Sequence, residues 1–183
     1  RVAAHFRQEQ PVVLQPALGA WRQVGNMYTA VSPSGFACAV DGQLPVSCLV
    51  SARFHFKPRT RRLGMILRAT EKLDQGYEIQ FEPERNRVVW RSNVFPDEHG
   101  GKILPSEVEL ERPLALHPYH DYSLKLVIDE TICEIYINDQ VAMSARMYDL
   151  LEGNLALFVV DGEASFENIV VKTVEPAIAP ARP

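Results

Sequence analysis

The stretch Thr131–Asp149, TICEIYINDQVAMSARMYD, decides the fold class of this chain. Its first half places Cys133, Ile135 and Ile137 at every second position, and such side chains lie on one face of a β-strand. An Asn-Asp pair, typical of a tight hairpin turn, comes next. A second run then leads to Arg146. The stretch therefore predicts two antiparallel strands joined by a short turn.

The same period of two recurs along the chain. Apolar and polar residues alternate over 47–56, 77–82 and 122–129. Turn residues separate such runs about every ten residues, as at Asp161-Gly162. The one helical candidate, 147–151, is barely a turn. The sequence therefore predicts an all-β fold, an antiparallel β-sandwich with a jelly-roll or concanavalin-like order of strands.

Composition divides the chain into three parts. Residues 1–20 carry prolines among mixed residues, which predicts a linker or a first edge strand. Residues 21–173 hold the alternating runs and form the predicted β-sandwich domain. Residues 174–183 are rich in proline and alanine and read as a linker-like tail.

Charge and cysteine content exclude several classes of function. The chain has 183 residues and a formal net charge of −4, whereas a nucleic-acid-binding domain needs a clustered basic excess. The basic run at 57–62 is short and predicts a solvated hairpin turn. No apolar run approaches the ~20 residues of a membrane span, and the three cysteines lack metal-ligand spacing and predict buried thiols. We expect no nucleic-acid or membrane partner, no metal and no cofactor.

Catalysis has little support in the sequence. The five histidines are scattered, and the nearest pair, His117 and His120, lies in a proline-containing loop without a thiolate partner. Glu78 and Glu82 bracket a glutamine, which leaves the row of acids of a concanavalin-like glucanase incomplete. No signal peptide is recognisable at the start, so secreted and cytoplasmic locations both fit.

The hairpin in the opening stretch carries polar residues with two interpretations. Glu134 and Tyr136 share the face opposite the apolar residues, and the returning strand delivers Arg146, with Tyr148 shortly after it. One interpretation is a surface ion pair between Glu134 and Arg146, worth about 0 to 1 kcal/mol. The other is a sugar site, in which carboxylate and guanidinium bind hydroxyls and a tyrosine ring covers the sugar ring.

A second polar face surrounds Trp90, an aromatic residue that could form an exposed platform, although strand tryptophans are more often buried. The acidic and basic residues of this face, placed on neighbouring strands, predict cross-strand pairs. The polar residues of the face are Glu78, Gln80, Glu82, Arg85, Arg87 and Arg91. Arg68 projects from a small and apolar strand face, so we expect it to need a partner there.

The last third of the chain carries short motifs in a fixed order. They are a strand ending in Asp, a (S/T)-x-x-E-(I/V)-(F/Y)-(I/V)-N-D strand, an R-x-Y segment, a G-L-F-x-x-x-G-like strand and an F-x-N-I strand. The pieces stand at Ile128-Asp129, 131–139, 146–148, 155–160 and 166–169. In this order, 120–173 resembles the C-terminal β-sandwich of glycoside hydrolase family 32, the invertase, levanase and inulinase group. It is also similar to carbohydrate-binding module family 66, a free-standing sandwich of the same kind.

The resemblance implies an accessory domain without catalysis. The family's catalytic propeller carries W-(M/L)-N-D-P-N-G, R-D-P and E-C motifs, and this chain has none of them, since Cys133-Glu134 stands in the reverse order. A binding module of this kind implies recognition of terminal fructofuranose units of levan or inulin, with a parent glycosidase's catalytic domain as partner. The alternative is a structural or dimerisation sandwich without sugar binding. The candidate carbohydrate contacts are Glu134, Tyr136, Arg146 and Tyr148, with Arg68, Glu78 and Trp90 behind them.

A third interpretation comes from Phe54–Arg59, which looks like the His-x-Asn-x-Arg strand of galectins. Lys57 stands where that strand needs an amide, and no W-x-x-E-x-R follows at the right distance. We therefore do not expect galactoside binding.

Overall fold

The computed structural model of the chain describes residues 6–93 and 108–174. These residues form thirteen strands and one 3-10 turn, Pro83–Arg85. The strands are β1 (Phe6–Gln10), β2 (Gln15–Leu18), β3 (Ala20–Val24), β4 (Met27–Gln43), β5 (Ser47–Phe56), β6 (Arg62–Ala69), β7 (Gly76–Glu82), β8 (Arg87–Asn93), β9 (Val108–Pro113), β10 (Tyr122–Asp129), β11 (Ile132–Ile137), β12 (Val141–Arg146) and β13 (Asn154–Val174). The predicted all-β fold is confirmed. Within the described ranges, no helix is long and apolar enough to span a membrane.

Antiparallel pairing joins the strands in the order β12-β11-β10-β5-β13-β6-β7-β8-β9. The second part of β13 pairs with β5 and its first part with β6, while β4 follows β13 along both parts. The sheet therefore folds over at β13 and β4 into two layers. We call the layer of β5, β10, β11 and β12 the first sheet and the layer of β6, β7, β8 and β9 the second sheet. This is the predicted β-sandwich.

The Asp161-Gly162 pair, predicted to separate two strands, lies inside β13 at the bend between the sheets. Asp161 has a φ of 47°, and its carboxylate accepts a 2.6 Å hydrogen bond from the Gly35 N–H on β4. A side chain at Gly162 would meet the Cα of Thr60 at 2.4 Å, so the close approach requires glycine. The predicted strand boundary is wrong because β4 bends with β13 and keeps pairing with it on both sides.

The core lies between the two sheets and follows the predicted alternation. The inward side chains of β5, β7, β10 and β11 are all buried: Cys48, Val50, Ala52, Phe54, Phe56, Tyr77, Ile79, Phe81, Tyr122, Leu124, Leu126, Ile128, Cys133, Ile135 and Ile137. The rings of Phe54 and Phe81 lie 4.3 Å apart between centroids and join the two layers. Burying one such ring contributes about 2 kcal/mol, so this contact is a main attachment between the sheets.

Residues 57–61 connect the two sheets, and the expectation of a hairpin turn there is wrong. β5 pairs with β10 and β13, whereas β6 pairs with β13 and β7. The basic side chains Lys57, Arg59 and Arg61 are exposed as predicted. Thr60 is buried, and its hydroxyl lies 2.9 Å from the Glu163 carbonyl. This contact fixes the connection against β13.

The two ends of the chain differ in how far they are described. β1 and β2 lie within the first 20 residues, where β1 pairs with β13 and β2 with β4. This segment thus contributes strands to the sandwich. Most of the tail predicted for 174–183 lies outside the described residues.

Candidate functional site

The hairpin of β11 and β12 places three predicted site residues on one surface. Glu134 lies opposite Ser144, and Arg146 lies opposite Ile132. Glu134 and Arg146 are exposed, and Tyr136 is half-buried. Since the intervening residues of β11 face the core, these three side chains share the outer face of the first sheet.

Glu134 is bound to Tyr136 rather than to Arg146. The Tyr136 hydroxyl donates a 2.8 Å hydrogen bond to the Glu134 carboxylate, and this bond is the main reason why the pKa of Tyr136 is raised. Arg146 lies two positions further along the hairpin register. Among the described contacts, the surface ion pair considered from the sequence is not formed, and Glu134 Oε1 remains open to a ligand.

A shallow depression of about 280 Å³ lies beside Tyr136. Its polar lining is Ser51, Arg53, Ser123, Lys125, Asp139 and Asn168. Arg53 is held by Asp121 at 2.7 Å, and Lys125 lies 3.9 Å from Asp139. The depression therefore combines hydrogen-bond donors and acceptors with a tyrosine ring at its edge.

Tyr148 follows β12 in a loop that is anchored to the core. Its side chain is 67% exposed. The next two backbone N–H groups, of Asp149 and Leu150, both donate to the Tyr77 hydroxyl, at 2.9 and 3.1 Å. Tyr148 does not belong to the described lining of the depression. It stands beside the hairpin surface on a fixed backbone.

Arg68 is completely buried and has the partners that the sequence predicted it would need. They are backbone carbonyls. Nη1 donates to Leu150 at 2.9 Å and to Met147 at 3.4 Å, and Nη2 donates to Val46 at 3.3 Å and to Glu130. Burial lowers the pKa of Arg68. The guanidinium supports the loop after β12 and the β10–β11 turn from within, and it does not reach the outer surface.

Trp90 and Glu78 lie on the second sheet, apart from the hairpin. Trp90 is fully buried and stacks on Tyr77 at 5.7 Å between ring centroids. The expectation of an exposed aromatic platform is therefore wrong, because alternation along β8 turns Val88 and Trp90 into the core. Glu78 is half-buried on the other face, opposite Arg91.

The outer face of the second sheet holds a buried carboxylate that the sequence analysis named as a cross-strand partner and not as a site residue. Glu82 is 5% exposed. Its Oε2 accepts hydrogen bonds from Arg87 Nε at 2.7 Å and Arg85 Nη1 at 3.5 Å. Its Oε1 accepts from Gln80 Nε2 at 2.6 Å and Arg91 Nη2 at 3.4 Å. Burial alone would raise the pKa of Glu82, but the hydrogen bonds from Arg87, Gln80 and Arg91 outweigh it and lower that pKa.

These side chains surround a polar pocket of about 270 Å³. Its described lining is Arg61, Arg62, Glu82, Glu84, Arg85 and Arg91. Leu63 pairs with Phe81, so Arg62 reaches the level of Glu82 one step further along β6. The predicted cross-strand pairing is confirmed by Glu82 and Arg87, which stand directly opposite each other. The predicted pairing of opposite charges was the sequence signal for this pocket. Alternation along β7 did not reveal that Glu82 is buried.

The described residues offer binding groups and few reactive ones. No cluster of three or more His, Cys, Asp or Glu side chains among them could hold a metal ion. All three cysteines are buried and free. Burial raises the pKa of Cys38 and of Cys48 to about 12, so neither thiol is a nucleophile near neutral pH.

The sandwich is similar to several solved structures. The carbohydrate-binding module CBM66 from Bacillus subtilis superposes with a TM-score of 0.75 at 16% identity, over 87% of this chain and 95% of that one. The β-fructofuranosidase of Aspergillus kawachii gives 0.61 at 18% identity, over 84% of this chain and 28% of that one. The exo-inulinase of Aspergillus awamori gives 0.55 at 12% identity, over 86% and 28%. This chain thus spans little more than a quarter of either enzyme, and likeness at these identities establishes the fold.

A comparison with curated protein sequences found no significant match. A family model does match: the one described as "Glycosyl hydrolases family 32 C terminal" covers residues 32–173, which is most of the chain. The family resemblance predicted from the motifs of the last third is confirmed. The chain belongs to the family of glycosyl hydrolase family 32 C-terminal domains.

Proposed function

We propose that this chain is a non-catalytic carbohydrate-binding β-sandwich of a glycoside hydrolase, which recognises terminal fructofuranose units of fructans such as levan and inulin. The observation that carries the proposal is the depression beside Tyr136, where a tyrosine ring adjoins a mixed set of donors and acceptors. Glu134 lies next to it through its hydrogen bond with Tyr136, and Arg146 lies further along the same hairpin surface. The parent glycosidase and its catalytic domain are part of the same proposal.

The chemistry of a neutral sugar fits this depression. A furanose hydroxyl both donates and accepts, so its site needs carboxylate or carbonyl oxygens beside N–H donors. Asp139 and Glu134 supply carboxylates, while Lys125 and Arg53 supply donors. The ring of Tyr136 gives the apolar face of the sugar a surface to pack against. A single fructose end has few atoms, so we expect weak binding that is strengthened by a polymer with many ends.

Two of the similar structures support the choice of fructan. Their names, β-fructofuranosidase and exo-inulinase, refer to fructose-containing substrates. The similarity to a carbohydrate-binding module supports the non-catalytic role. The same fold carries unrelated functions in many proteins, so fold likeness supports the proposal without deciding it.

Affinity electrophoresis of the chain through gels containing levan, inulin, arabinan or galactan tests the proposal. We expect slower migration in levan or inulin and free migration in galactan. Glu134→Ala and Tyr136→Ala should each restore free migration, because one removes a hydroxyl acceptor and the other the ring. Glu109→Ala, an exposed glutamate on β9 of the second sheet, is the matched control and should migrate like the unchanged chain. Free migration of the unchanged chain in every gel would overturn the proposal.

A structural sandwich is the second candidate, and one observation favours it. Three apolar residues on β2, β3 and β4 are exposed: Leu18 by 52%, Val24 by 59% and Val31 by 45%. β2 and β3 both pair with β4, and exposed apolar side chains on neighbouring strands suit contact with another domain or a second copy. Sedimentation over a range of concentrations distinguishes the candidates: a dimer that Val31→Glu dissociates, together with free migration in all gels, would favour the structural role.

A further inference from the structure

The pocket around Glu82 is separate from the surface proposed for neutral sugar, because it lies on the outer face of the second sheet. Its described lining is Arg61, Arg62, Glu82, Glu84, Arg85 and Arg91. Two carboxylates at its border, Asp161 and Glu111, are each bound to an arginine of the cluster, Arg61 and Arg87 respectively. The described lining itself holds four guanidinium groups and two carboxylates, Glu82 and Glu84. A third border carboxylate, Glu78, stands opposite Arg91.

Glu82, the central carboxylate, already uses its capacity to accept hydrogen bonds, and the border carboxylate Asp161 uses about half of its own. An ionised carboxylate has about four acceptor positions, and Glu82 accepts from four donors, two on each oxygen. Asp161 accepts from the Gly35 N–H at 2.6 Å and from Arg61 at 3.3 Å. A ligand hydroxyl therefore finds its acceptor at the exposed carboxylate of Glu84 rather than at Glu82.

The arginines, in contrast, keep donors that the described contacts do not use. A guanidinium carries five N–H groups. Within the described part of the chain, one N–H of Arg61 and one of Arg85 are engaged, and the buried Nε of Arg62 has no hydrogen-bond partner. The side chains of Arg61 and Arg85 are 61% and 67% exposed. The pocket thus presents positive charge and donors to a ligand.

We infer that this pocket binds an oxyanion, a carboxylate or sulfate group carried by a sugar or another small molecule. The planar guanidinium fork matches the geometry of a carboxylate and binds it through two parallel hydrogen bonds. Glu82 holds Arg85 through one N–H and Asp161 holds Arg61 through one N–H, and the other N–H groups of these two exposed arginines remain for the ligand. The volume of about 270 Å³ lies just below the roughly 300 Å³ at which pockets for drug-sized ligands begin, so the pocket suits a ligand no larger than one sugar unit.

Calorimetric titration of the chain with glucuronate and, separately, with glucose tests the inference, because the two probes share a ring and differ in the carboxylate. We expect glucuronate to bind at least about tenfold more tightly than glucose, the ratio that one charge-assisted contact supplies. Added salt at about 0.5 M should weaken glucuronate several-fold, since exposed charges are screened. Equal affinity for the two probes overturns the inference.

Variants of the exposed arginines locate the site. The double variant Arg61→Gln, Arg85→Gln should lower glucuronate affinity at least about fivefold and leave migration in levan gels unchanged. Arg22→Gln, on exposed β3, is the matched control and should change neither. Unchanged glucuronate affinity in the double variant overturns the assignment. Competition with inorganic sulfate shows which part of the ligand is recognised. Displacement of glucuronate by sulfate supports a pocket that recognises the oxyanion alone. No displacement supports a pocket that recognises the carboxylate together with the sugar ring.

Discussion

Glu82 and Glu134 occupy similar positions in alternating strands, yet the structure gives them opposite surroundings. Glu82 is 5% exposed and accepts four hydrogen bonds. Glu134 is exposed and accepts one, from Tyr136. Each represents the outer face of one sheet, so the two polar faces of this sandwich differ in kind.

The neighbours across the strands account for the difference. Arg87 on β8 stands directly opposite Glu82, whereas Glu134 stands between Val127 on β10 and Ser144 on β12. A carboxylate beside guanidinium groups loses water and gains charge-assisted hydrogen bonds. A carboxylate beside neutral side chains keeps its water and its freedom to bind a ligand. The outer face of the first sheet, which carries Glu134, is thus open to solvent and to a ligand. The outer face of the second sheet, which carries Glu82, is already arranged by hydrogen bonds within the protein.

The largest expected effect is at Arg68, whose buried hydrogen bonds support the loop after β12 and the β10–β11 turn from within. Its loss can be compared with the loss of an exposed arginine on the hairpin. Arg68→Met leaves four carbonyls without their donors, and we expect a loss of about 3 kcal/mol in the free energy of unfolding. Arg146→Met, at an exposed position on the hairpin, should change it by less than about 0.5 kcal/mol. Denaturant unfolding of both variants measures this. Equal losses would mean that the carbonyl contacts add nothing to stability.

The two glutamates themselves give the next largest contrast. Glu82→Ala removes one carboxylate partner from Arg87, which keeps Glu111, and from Arg91. These two side chains are 20% and 17% exposed. Since water can partly replace the lost partner, we expect a destabilisation of about 2 kcal/mol, below the value for a fully buried pair. Glu134→Ala should stay within about 0.5 kcal/mol of the unchanged chain. Thermal unfolding of the two variants compares them, and a reversed order would refute the description of the two faces.

The dependence of stability on acid pH tests the surroundings of Glu82 through its pKa. The pKa of Glu82 in the folded state lies below its ordinary value of 4.5. Its stabilising contribution is therefore complete above that ordinary value and is lost as the pH falls through the folded pKa, because the unfolded chain takes up the proton first. Glu82→Gln should show a shallower loss of stability over this acid range. Parallel curves for Glu82→Gln and the unchanged chain would contradict the lowered pKa.

The sequence predicted the strands more fully than the faces of the sheets. Periodicity fixes which side chains point inward, so the burial of Phe54 and Ile135 followed directly from the pattern. It does not fix whether an outward side chain meets water, which depends on strands distant in sequence. Arg68 shows this, since its carbonyl partners come from segments up to 82 residues away. The bend at Asp161 was missed for a related reason, because its partner Gly35 lies 126 residues away.

Tyr136→Phe gives the smallest expected effect and separates the ring from the hydroxyl. The change removes the hydrogen bond to Glu134 and leaves the aromatic surface in place. Because a hydroxyl contact at an exposed site is worth less than about 1 kcal/mol, we expect at most a several-fold loss of retardation in levan gels, and unfolding should be unchanged. Tyr136→Ala should lose retardation altogether. If Phe and Ala are equally weak, the contact is the hydroxyl rather than the ring, and the exposed face binds through its Glu134–Tyr136 pair. The hairpin face would then depend on fixed hydrogen bonds, as the pocket around Glu82 does. The outer faces of the two sheets would differ only in how exposed their carboxylates are.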